Sequence, residues 1–247
     1  MKVAGIIPAR YGSTRFPGKP LALIQGKPMI QWVYENALQC EAISELWVAT
    51  DHEDIRQTVL NFGGKVIMTL EEHPSGTDRC LEAYIKSESD ADVVINIQGD
   101  EPFIKPEMLQ SVAHQFEKSH VDIATLVKKV EDVETLLDPN KVKVVLATDG
   151  KVLYFSRSPI PFCRGEMAHE WLRCQTYYKH IGIYGYRVST LREICHMEPS
   201  ALEQCESLEQ LRWLENGKSV YAAITKFETP SVDSPEDLKR IEETHFL

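Results

Sequence analysis

KVAGIIPARYGSTRFPGKP, residues 2–20, decides the fold class because it joins a short apolar run directly to a loop rich in cations and glycine. Residues 2–8 are mostly apolar, which is typical of a buried strand. Further along, Ile30, Val33 and Tyr34 follow one another at the spacing of a helix that packs on one face. The stretch therefore predicts the first strand of an alternating α/β chain, with a polar loop before the first helix.

The same alternation continues through the first half of the chain. Apolar runs predict strands at residues 46–50, 66–69 and 93–97. Helical periodicity lies between them, and Gly63-Gly64 supplies a natural C-terminal stop for the second helix. Strands that alternate with helices predict a parallel sheet, doubly wound, with helices on both faces.

The second half has longer strands and predicts antiparallel pairing. Residues 142–147 and 152–155 read as a hairpin, and Asp149-Gly150 is a signal for a two-residue turn. Further elements are predicted from periodicity and caps: strands at 177–186 and 220–225, one helix at 201–216 closed by Gly217, and a last helix that begins at Ser234-Pro235. We expect one domain without internal repeats or flexible linkers.

Composition excludes several classes of function. A formal net charge of −10 argues against a general nucleic-acid-binding protein, which neutralises phosphates with an excess of Lys and Arg. The six cysteines form no C-x-x-C pair, so no structural zinc site is expected. No run approaches the roughly 18 to 20 apolar residues of a membrane helix, and the N-terminus lacks the regions of a signal peptide. We therefore expect a cytoplasmic protein without membrane insertion.

The loop after the first predicted strand has the composition of a polyphosphate site. Arg10, Arg15 and Lys19 supply positive charge, while Gly12 and Gly18 allow backbone N–H groups to face phosphate oxygens. It is not a Walker loop, because five residues separate the glycines and proline follows the lysine. A solvated surface loop is the alternative interpretation. Ligands of α/β sheets usually bind at the carboxyl ends of strands, which favours a nucleoside triphosphate here.

A second polar turn, QGDEP at residues 98–102, follows the apolar run at 93–97. It places Asp100 at the same sheet edge as the cationic loop. Magnesium held by one or two carboxylates and substrate phosphates would supply the counter-charge, whereas an Asp that merely caps the next element is the structural alternative. Asp233, just before the last predicted helix, could be a second ligand, although an Asp in that position more often has a structural role.

The motifs, taken together, resemble the 3-deoxy-manno-octulosonate cytidylyltransferases, also called CMP-Kdo synthetases. The segments are IIPARY (6–11), STRFPGKPL (13–21), GKPMI (26–30), ATDHED (49–54), SGTDR (75–79), QGDEP (98–102), YFSR (154–157), HIGIYGYR (180–187), LEQLR (208–212) and VDSPEDL (232–238). They lie in the family's order and span essentially the whole chain. Phe16 stands where the family often has Leu, and Ser234 where it often has Thr.

The resemblance implies a fold, a cofactor and an assembly. The fold would be a single Rossmann-like nucleotidyltransferase domain over residues 1–247, with a mixed, mostly parallel central sheet, helices on both faces and an antiparallel extension. Residues 1–120 would form the nucleotide-binding half and residues 121–247 the sugar-binding and dimerisation half. The enzyme would use Mg²⁺ and work as a cytoplasmic homodimer.

The resemblance also implies roles for individual residues. Mg²⁺ would be bound by Asp100 and Asp233, and these two residues would act in catalysis together with Arg10 and Lys19. The CTP site would consist of Pro8, Ala9, Arg10, Arg15, Lys19, Ser75, Gly76 and Thr77. The sugar-acid site would consist of Arg79, Gln98, Arg157, His180, Tyr184, Glu209 and Gln210.

Residue patterns alone favour other roles for some of these side chains. Tyr184 lies in a strand of alternating polarity, which predicts a position in the core. Glu209 and Gln210 lie in a predicted helix, and their polarity predicts that they belong to its solvated face. For Arg157 the chemistry itself supports a role in sugar binding, because a guanidinium can hold a sugar carboxylate with two parallel hydrogen bonds.

The implied reaction transfers CMP from CTP to the anomeric hydroxyl of 3-deoxy-manno-octulosonate (Kdo), with release of pyrophosphate, and supplies lipopolysaccharide synthesis. Phosphoryl-type transfer depends on positioning and electrostatics, so no covalent enzyme intermediate is expected, and the sequence identifies no general base. Three alternatives stay open: a cytidylyltransferase for 8-amino-Kdo or sialic acid, a glycosyltransferase that consumes a nucleotide sugar, and a non-catalytic nucleotide-binding protein.

Overall fold

The computed structural model describes residues 1–12 and 15–245, so Ser13 and Thr14 of the cationic loop lie outside the described residues. The strands are β1 (Val3–Ala9), β2 (Leu23–Ile24), β3 (Lys27–Pro28), β4 (Glu45–Thr50), β5 (Val66–Met68), β6 (Val93–Asn96), β7 (Ile123–Lys129), β8 (Lys143–Leu146), β9 (Val152–Ser156), β10 (Tyr178–Arg187) and β11 (Val220–Ile224). The helices are α1 (Met29–Leu38), α2 (Glu53–Asn61), α3 (Gly76–Lys86), α4 (Pro106–Gln115), α5 (Val133–Leu137), α6 (Trp171–Cys174), α7 (Val188–Ile194), α8 (Ala201–Glu206), α9 (Gln210–Glu215) and α10 (Pro235–His245).

One mixed sheet runs through both halves of the chain, in the order β11-β7-β10-β6-β1-β4-β5. Strands β6, β1, β4 and β5 are parallel to one another. Strand β10 inserts antiparallel between β6 and β7, and β11 pairs parallel with β7. The hairpin of β8 and β9 extends the sheet antiparallel from β10. The predicted architecture of a mixed sheet with an antiparallel extension is therefore confirmed.

Alternating residues of β1 explain why helices cover both faces of the sheet. Ile7 belongs to the apolar core that contains buried residues of α1, α2 and α4. Its neighbour Ile6 belongs to the core on the other face, with buried residues of α3, α7 and α9. Both isoleucines are fully buried. Because successive strand residues point to opposite faces, a strand that is apolar throughout requires helices on both sides.

The single helix predicted over residues 201–216 is wrong, because the chain breaks there into α8 and α9. Ser207 adopts a left-handed backbone conformation with φ 51° and ψ 51°. Arg212 of α9 then reaches back to Glu203 of α8, with Nε and Nη2 2.7 and 2.6 Å from the two carboxylate oxygens. The apolar periodicity continues across the break, which is why it reads as one helix.

The predicted hairpin over residues 142–155 is confirmed, but its turn is one residue longer than predicted. Ala147 N donates to Lys151 O at 2.7 Å, which leaves three residues in the loop. Gly150 has φ +89° and occupies the left-handed position that such a three-residue loop requires. Within the two described ranges, no helix combines the length and apolar composition needed to cross a membrane.

Candidate functional site

A cleft opens at the carboxyl ends of β1 and β6, where the two predicted polar turns meet. It encloses about 950 Å³ of space that is open to solvent. Its lining consists of Pro8, Ala9, Arg10, Arg15, Lys19, Pro20, His73, Pro74, Ser75, Gly76, Arg79, Gln98, Gly99, Asp100 and Asp233. The fold therefore brings together both candidate Mg²⁺ ligands and, apart from Thr77, every residue predicted to bind CTP.

Positive and negative side chains are in direct contact across this cleft. Lys19 Nζ lies 2.7 Å from Asp100 Oδ2 and 3.5 Å from Asp233 Oδ1. Arg15 Nη2 lies 3.2 Å from the same Asp233 oxygen. The two acids are 81 and 214 residues from Lys19 in the sequence. Strand order, and not local sequence, therefore assembles this charged cluster.

Backbone contacts fix the positions of the turns that carry these charges. Val232 N donates to Asp100 O at 2.9 Å, which joins the turn after β6 to the segment before α10. A Cβ atom on Gly99 would lie 2.6 Å from Pro8 O. Glycine is therefore required where the turn after β6 passes the end of β1.

Asp100 and Asp233 fit a Mg²⁺ site that substrate would complete. Both present a carboxylate oxygen within 3.5 Å of the Lys19 nitrogen, so the fold already places a cation between them. In the part of the chain that the structure describes, no group of three or more His, Cys, Asp or Glu side chains is arranged to hold a metal. Two carboxylates are too few for an all-protein cage, but Mg²⁺ commonly takes its remaining ligands from phosphates and water.

The N-terminus of α3 forms another wall of the cleft. Ser75 caps this helix, since its Oγ accepts from the N–H groups of Thr77 and Asp78 at 3.1 and 3.2 Å. Gly76 packs beside Pro8, with a Cβ position 3.5 Å from the proline ring. The positive end of the helix dipole thus lies at the cleft, which favours an anionic ligand.

Helix α9 turns Glu209 and Gln210 inward, so the interpretation of these residues as a solvated face is wrong. Glu209 Oε1 lies 3.2 Å from Ser75 Oγ. Burial raises the pKa of the Glu209 carboxyl above its ordinary value. Gln210 is only 6% exposed. Their predicted role in sugar binding stays a prediction.

Strand β10 holds two further candidate sugar-binding residues in its buried surface. Tyr184 packs edge-on against Trp213, with ring centroids 5.0 Å apart. Its buried hydroxyl has no hydrogen-bond partner among the described residues. His180 Nε2 lies 2.9 Å from Thr125 Oγ1, and burial lowers the pKa of His180 to about 3. The imidazole is therefore neutral at physiological pH.

Gln98 and Arg79 line the cleft but already bind protein groups. Gln98 Nε2 donates to Gly182 O at 2.8 Å, which joins the acidic turn to β10. Arg79 is 3% exposed, and its Nη1 donates to Thr69 Oγ1 at 2.5 Å. Its Nη2 donates to Asp51 Oδ2 at 3.0 Å. These contacts shape the wall, and a contact with the sugar stays a prediction.

Asp51 is a site residue that the sequence motif ATDHED contains but to which it assigns no role. Its Oδ1 accepts from Tyr11 N at 3.1 Å, while its Oδ2 binds Arg79. The Tyr11 ring stacks on His52 with centroids 3.9 Å apart. Asp51 therefore ties the end of β4 to the base of the cationic loop. Its sequence signal is its position, because it directly follows an apolar strand at the sheet edge that binds ligands.

Arg157 is placed differently from the free carboxylate clamp predicted for it. Its Nε, Nη1 and Nη2 donate to the backbone carbonyls of Glu206, Pro139 and Ser207 at 2.6, 3.1 and 3.2 Å. It is absent from the cleft lining among the described residues. The guanidinium holds the break between α8 and α9, so it orients the segment that leads into Glu209. One N–H group on each of Nη1 and Nη2 is left over by these bonds, and a direct contact with the sugar stays a prediction.

Comparison with known proteins identifies the family. The chain matches the cytidylyltransferase family model over residues 4–220. A 3-deoxy-manno-octulosonate cytidylyltransferase of Cytophaga hutchinsonii is 52% identical over 245 residues, which cover 99% of this chain and 98% of the relative. The protein of the same name from Parabacteroides distasonis is 53% identical over 244 residues, 97% of this chain and 96% of the relative.

Solved structures agree with the sequence comparisons. The structure of CMP:2-keto-3-deoxy-manno-octonic acid synthetase complexed with CTP matches with a TM-score of 0.92 at 43% identity, covering 100% of this chain and 99% of that one. A 4-diphosphocytidyl-2C-methyl-D-erythritol synthase from Anaerococcus prevotii, 13% identical with a TM-score of 0.64, shares the fold. The predicted Rossmann-like nucleotidyltransferase fold is confirmed. By its family model, its full-length relatives and this structural match, the chain belongs to the family of 3-deoxy-manno-octulosonate cytidylyltransferases.

Proposed function

We propose that the protein transfers CMP from CTP to the anomeric hydroxyl of Kdo, giving CMP-Kdo and pyrophosphate for lipopolysaccharide synthesis. The observation that carries this proposal is the contact of Lys19 with Asp100 and Asp233 in one cleft. A triphosphate needs cations, and a divalent ion bound to it needs carboxylates. The cluster supplies both, and relatives that match this chain over nearly their full length are named for this reaction.

The charged side chains of the cleft perform most of the catalytic work in this proposal. Arg10, Arg15 and Lys19 bind the phosphates and stabilise the negative charge that develops as pyrophosphate leaves. Mg²⁺ bound by Asp100 and Asp233 would supply a Lewis acid for the reacting phosphoryl oxygen. We assign no side chain as the base that removes the proton of the sugar hydroxyl.

The sugar acid would bind beside β10 and α9. The buried Tyr184 hydroxyl has no hydrogen-bond partner in the described part of the chain, which costs free energy, and a sugar hydroxyl would give it one. Neutral His180 and the buried carboxyl of Glu209 add groups suited to sugar hydroxyls. The proposed sugar site would be next to the nucleotide cleft, because Ser75 of the cleft wall contacts Glu209.

Pyrophosphate release tests the proposed function directly. We expect release only when CTP, an octulosonic acid and Mg²⁺ are all present, and loss of release when EDTA removes the metal. The grid contains CTP, UTP and ATP against Kdo, 8-amino-Kdo and sialic acid, with each product identified by mass spectrometry. Sugar transfer without pyrophosphate release would indicate a glycosyltransferase, and CTP binding without any product would indicate a non-catalytic protein.

An Arg157→Ala variant is expected to raise the KM for the sugar about tenfold or more and to leave the KM for CTP nearly unchanged. Three hydrogen bonds that hold the break between α8 and α9 are lost, so Glu209 and Gln210 are no longer oriented. Steady-state kinetics with each substrate varied in turn separates the two KM values.

The control for this prediction is Arg164→Ala, which removes the same side chain from an exposed position. It should leave both KM values as they are. An unchanged sugar KM and turnover in Arg157→Ala would contradict the role of Arg157 in the sugar site, whether direct or through the break between α8 and α9.

The proposal also includes a homodimer and a cytoplasmic location. Phe162 and Met167 have exposed fractions of 73% and 70% and are candidates for the contact surface of the dimer. Light scattering on the purified protein measures the assembly. The cytoplasmic location follows the prediction from the sequence.

A further inference from the structure

His73 is a residue of the cleft wall to which no motif assigns a role. It precedes the Ser75 cap of α3 by two positions and lines the same cleft as Pro8 and Ala9. Its side chain is 16% exposed. With phosphates at the cationic loop, the nucleobase must occupy another part of the lining. The segment from His73 to Gly76 lines the cleft next to Pro8 and contains no Lys, Arg, Asp or Glu side chain.

Glu82 of α3 determines which nitrogen of His73 carries the proton. His73 Nε2 forms a short hydrogen bond with Glu82 Oε2. The same carboxylate accepts from Leu70 N at 2.9 Å and from Lys86 Nζ at 2.7 Å. Burial opposes ionisation of Glu82, but the hydrogen bonds from Lys86, His73 and Leu70 outweigh it and lower the pKa of Glu82 to about 2.

A carboxylate can only accept hydrogen bonds, so the proton of neutral His73 must lie on Nε2. Nδ1 then has a free lone pair and acts as an acceptor. Among the described residues, Nδ1 has no hydrogen-bond partner. In its neutral form, His73 therefore supplies a hydrogen-bond acceptor to the wall beside the predicted base and ribose site.

We propose that His73 determines the choice of nucleobase, with Nδ1 accepting a hydrogen bond from the exocyclic amino group of cytosine. This inference rests on the proposed function, because it names the chemical group of CTP, the exocyclic amino group, by which the cleft would distinguish CTP from UTP. Cytosine presents an N–H donor where uracil presents a carbonyl oxygen. Uracil would therefore set an acceptor against an acceptor, and both groups would lose their hydrogen bond on leaving water.

Glu82 is the positioning residue for this discrimination. Neutral His73 could donate to uracil only by moving its proton to Nδ1, but that tautomer would turn the Nε2 lone pair towards the Glu82 carboxylate. An amide in place of Glu82 weakens the constraint, since its oxygen accepts from one tautomer and its nitrogen can donate to the other, although the second arrangement gives up the hydrogen bond from Leu70 N. Loss of the negative charge alone should therefore relax the choice of base.

A Glu82→Gln variant tests the inference. We expect the ratio of kcat/KM for CTP to kcat/KM for UTP to fall at least about tenfold, chiefly because UTP becomes a better substrate. A gain of UTP use cannot result from poor folding. His73→Ala should lower the same ratio by weakening CTP alone. Isothermal titration calorimetry of CTP and UTP binding provides a second readout that does not depend on turnover.

Glu72→Gln is the matched control, because Glu72 is an exposed carboxylate next to His73. Its ratio should equal that of the wild-type protein. If the wild-type protein releases pyrophosphate from CTP and Kdo but Glu82→Gln leaves the ratio unchanged, the inference is wrong and the proposed function stands. Equal use of CTP and UTP by the wild-type protein would also overturn the inference. No pyrophosphate from CTP with any acidic sugar would instead overturn the proposed function.

Discussion

An Asp100→Asn variant is expected to turn over CTP and Kdo at least about a thousandfold more slowly than the wild-type protein, which corresponds to roughly 4 kcal/mol of lost transition-state stabilisation. Asparagine keeps the size of the side chain but has no negative charge to hold a divalent ion. Lys19 also loses its 2.7 Å contact with a carboxylate oxygen, so its ammonium group keeps only the longer, 3.5 Å contact with Asp233 among these two acids. Because both effects act where charge develops, kcat should fall far more than the KM for the sugar rises.

The control for Asp100→Asn is Asp92→Asn, at the other end of β6. Asp92 Oδ2 accepts from Lys2 N at 2.8 Å, remote from the cleft. This variant makes the same chemical change in the same strand region, and its turnover should stay near that of the wild-type protein. Thermal melts of both variants test whether they fold. Near-normal turnover of folded Asp100→Asn at saturating Mg²⁺ would contradict the assignment of Asp100.

The sequence predicts the position of the cleft because that position follows from the order and direction of the strands alone. Parallel strands bring their carboxyl ends to one edge, so the turn after β1 and the turn after β6 must be near each other. The contact of Lys19 with Asp100 confirms this expectation. This principle does not predict the position of Asp233. The segment before α10 brings Asp233 to the cleft, and the hydrogen bond from Val232 N to Asp100 O holds that segment there.

The parts that the sequence does not predict depend on contacts between distant residues. The break at Ser207 is stabilised by Arg157 and Arg212, and neither leaves a local signal that distinguishes two short helices from one. The sequence alone predicts that Arg157 is a free cation, because the backbone carbonyls that it binds lie up to 50 residues away. Strand β7 lies near the centre of the second half of the sheet, yet no turn motif marks its ends.

The buried ion pair of Asp51 and Arg79, which no local sequence pattern predicts, gives the second large expected effect, a loss of stability. Asp51→Asn should destabilise the folded protein by about 3 to 5 kcal/mol, because removal of one partner leaves a buried charge without compensation. Arg79 and Asp51 have side chains that are 3% and 6% exposed, so water cannot replace the lost carboxylate. The free energy of unfolding, from denaturant titration followed by circular dichroism, measures the loss.

Combining Asp51→Asn with Arg79→Met should recover much of that stability, because the double variant buries no unpaired charge. The exposed pair of Arg56 and Glu53 is the control, with side chains 39% and 65% exposed. Glu53→Gln should cost less than about 1 kcal/mol. If the costs of the two buried substitutions simply add, the pair does not act as a unit. In that case Asp51 would stabilise the fold mainly through its 3.1 Å contact with Tyr11 N and not through Arg79.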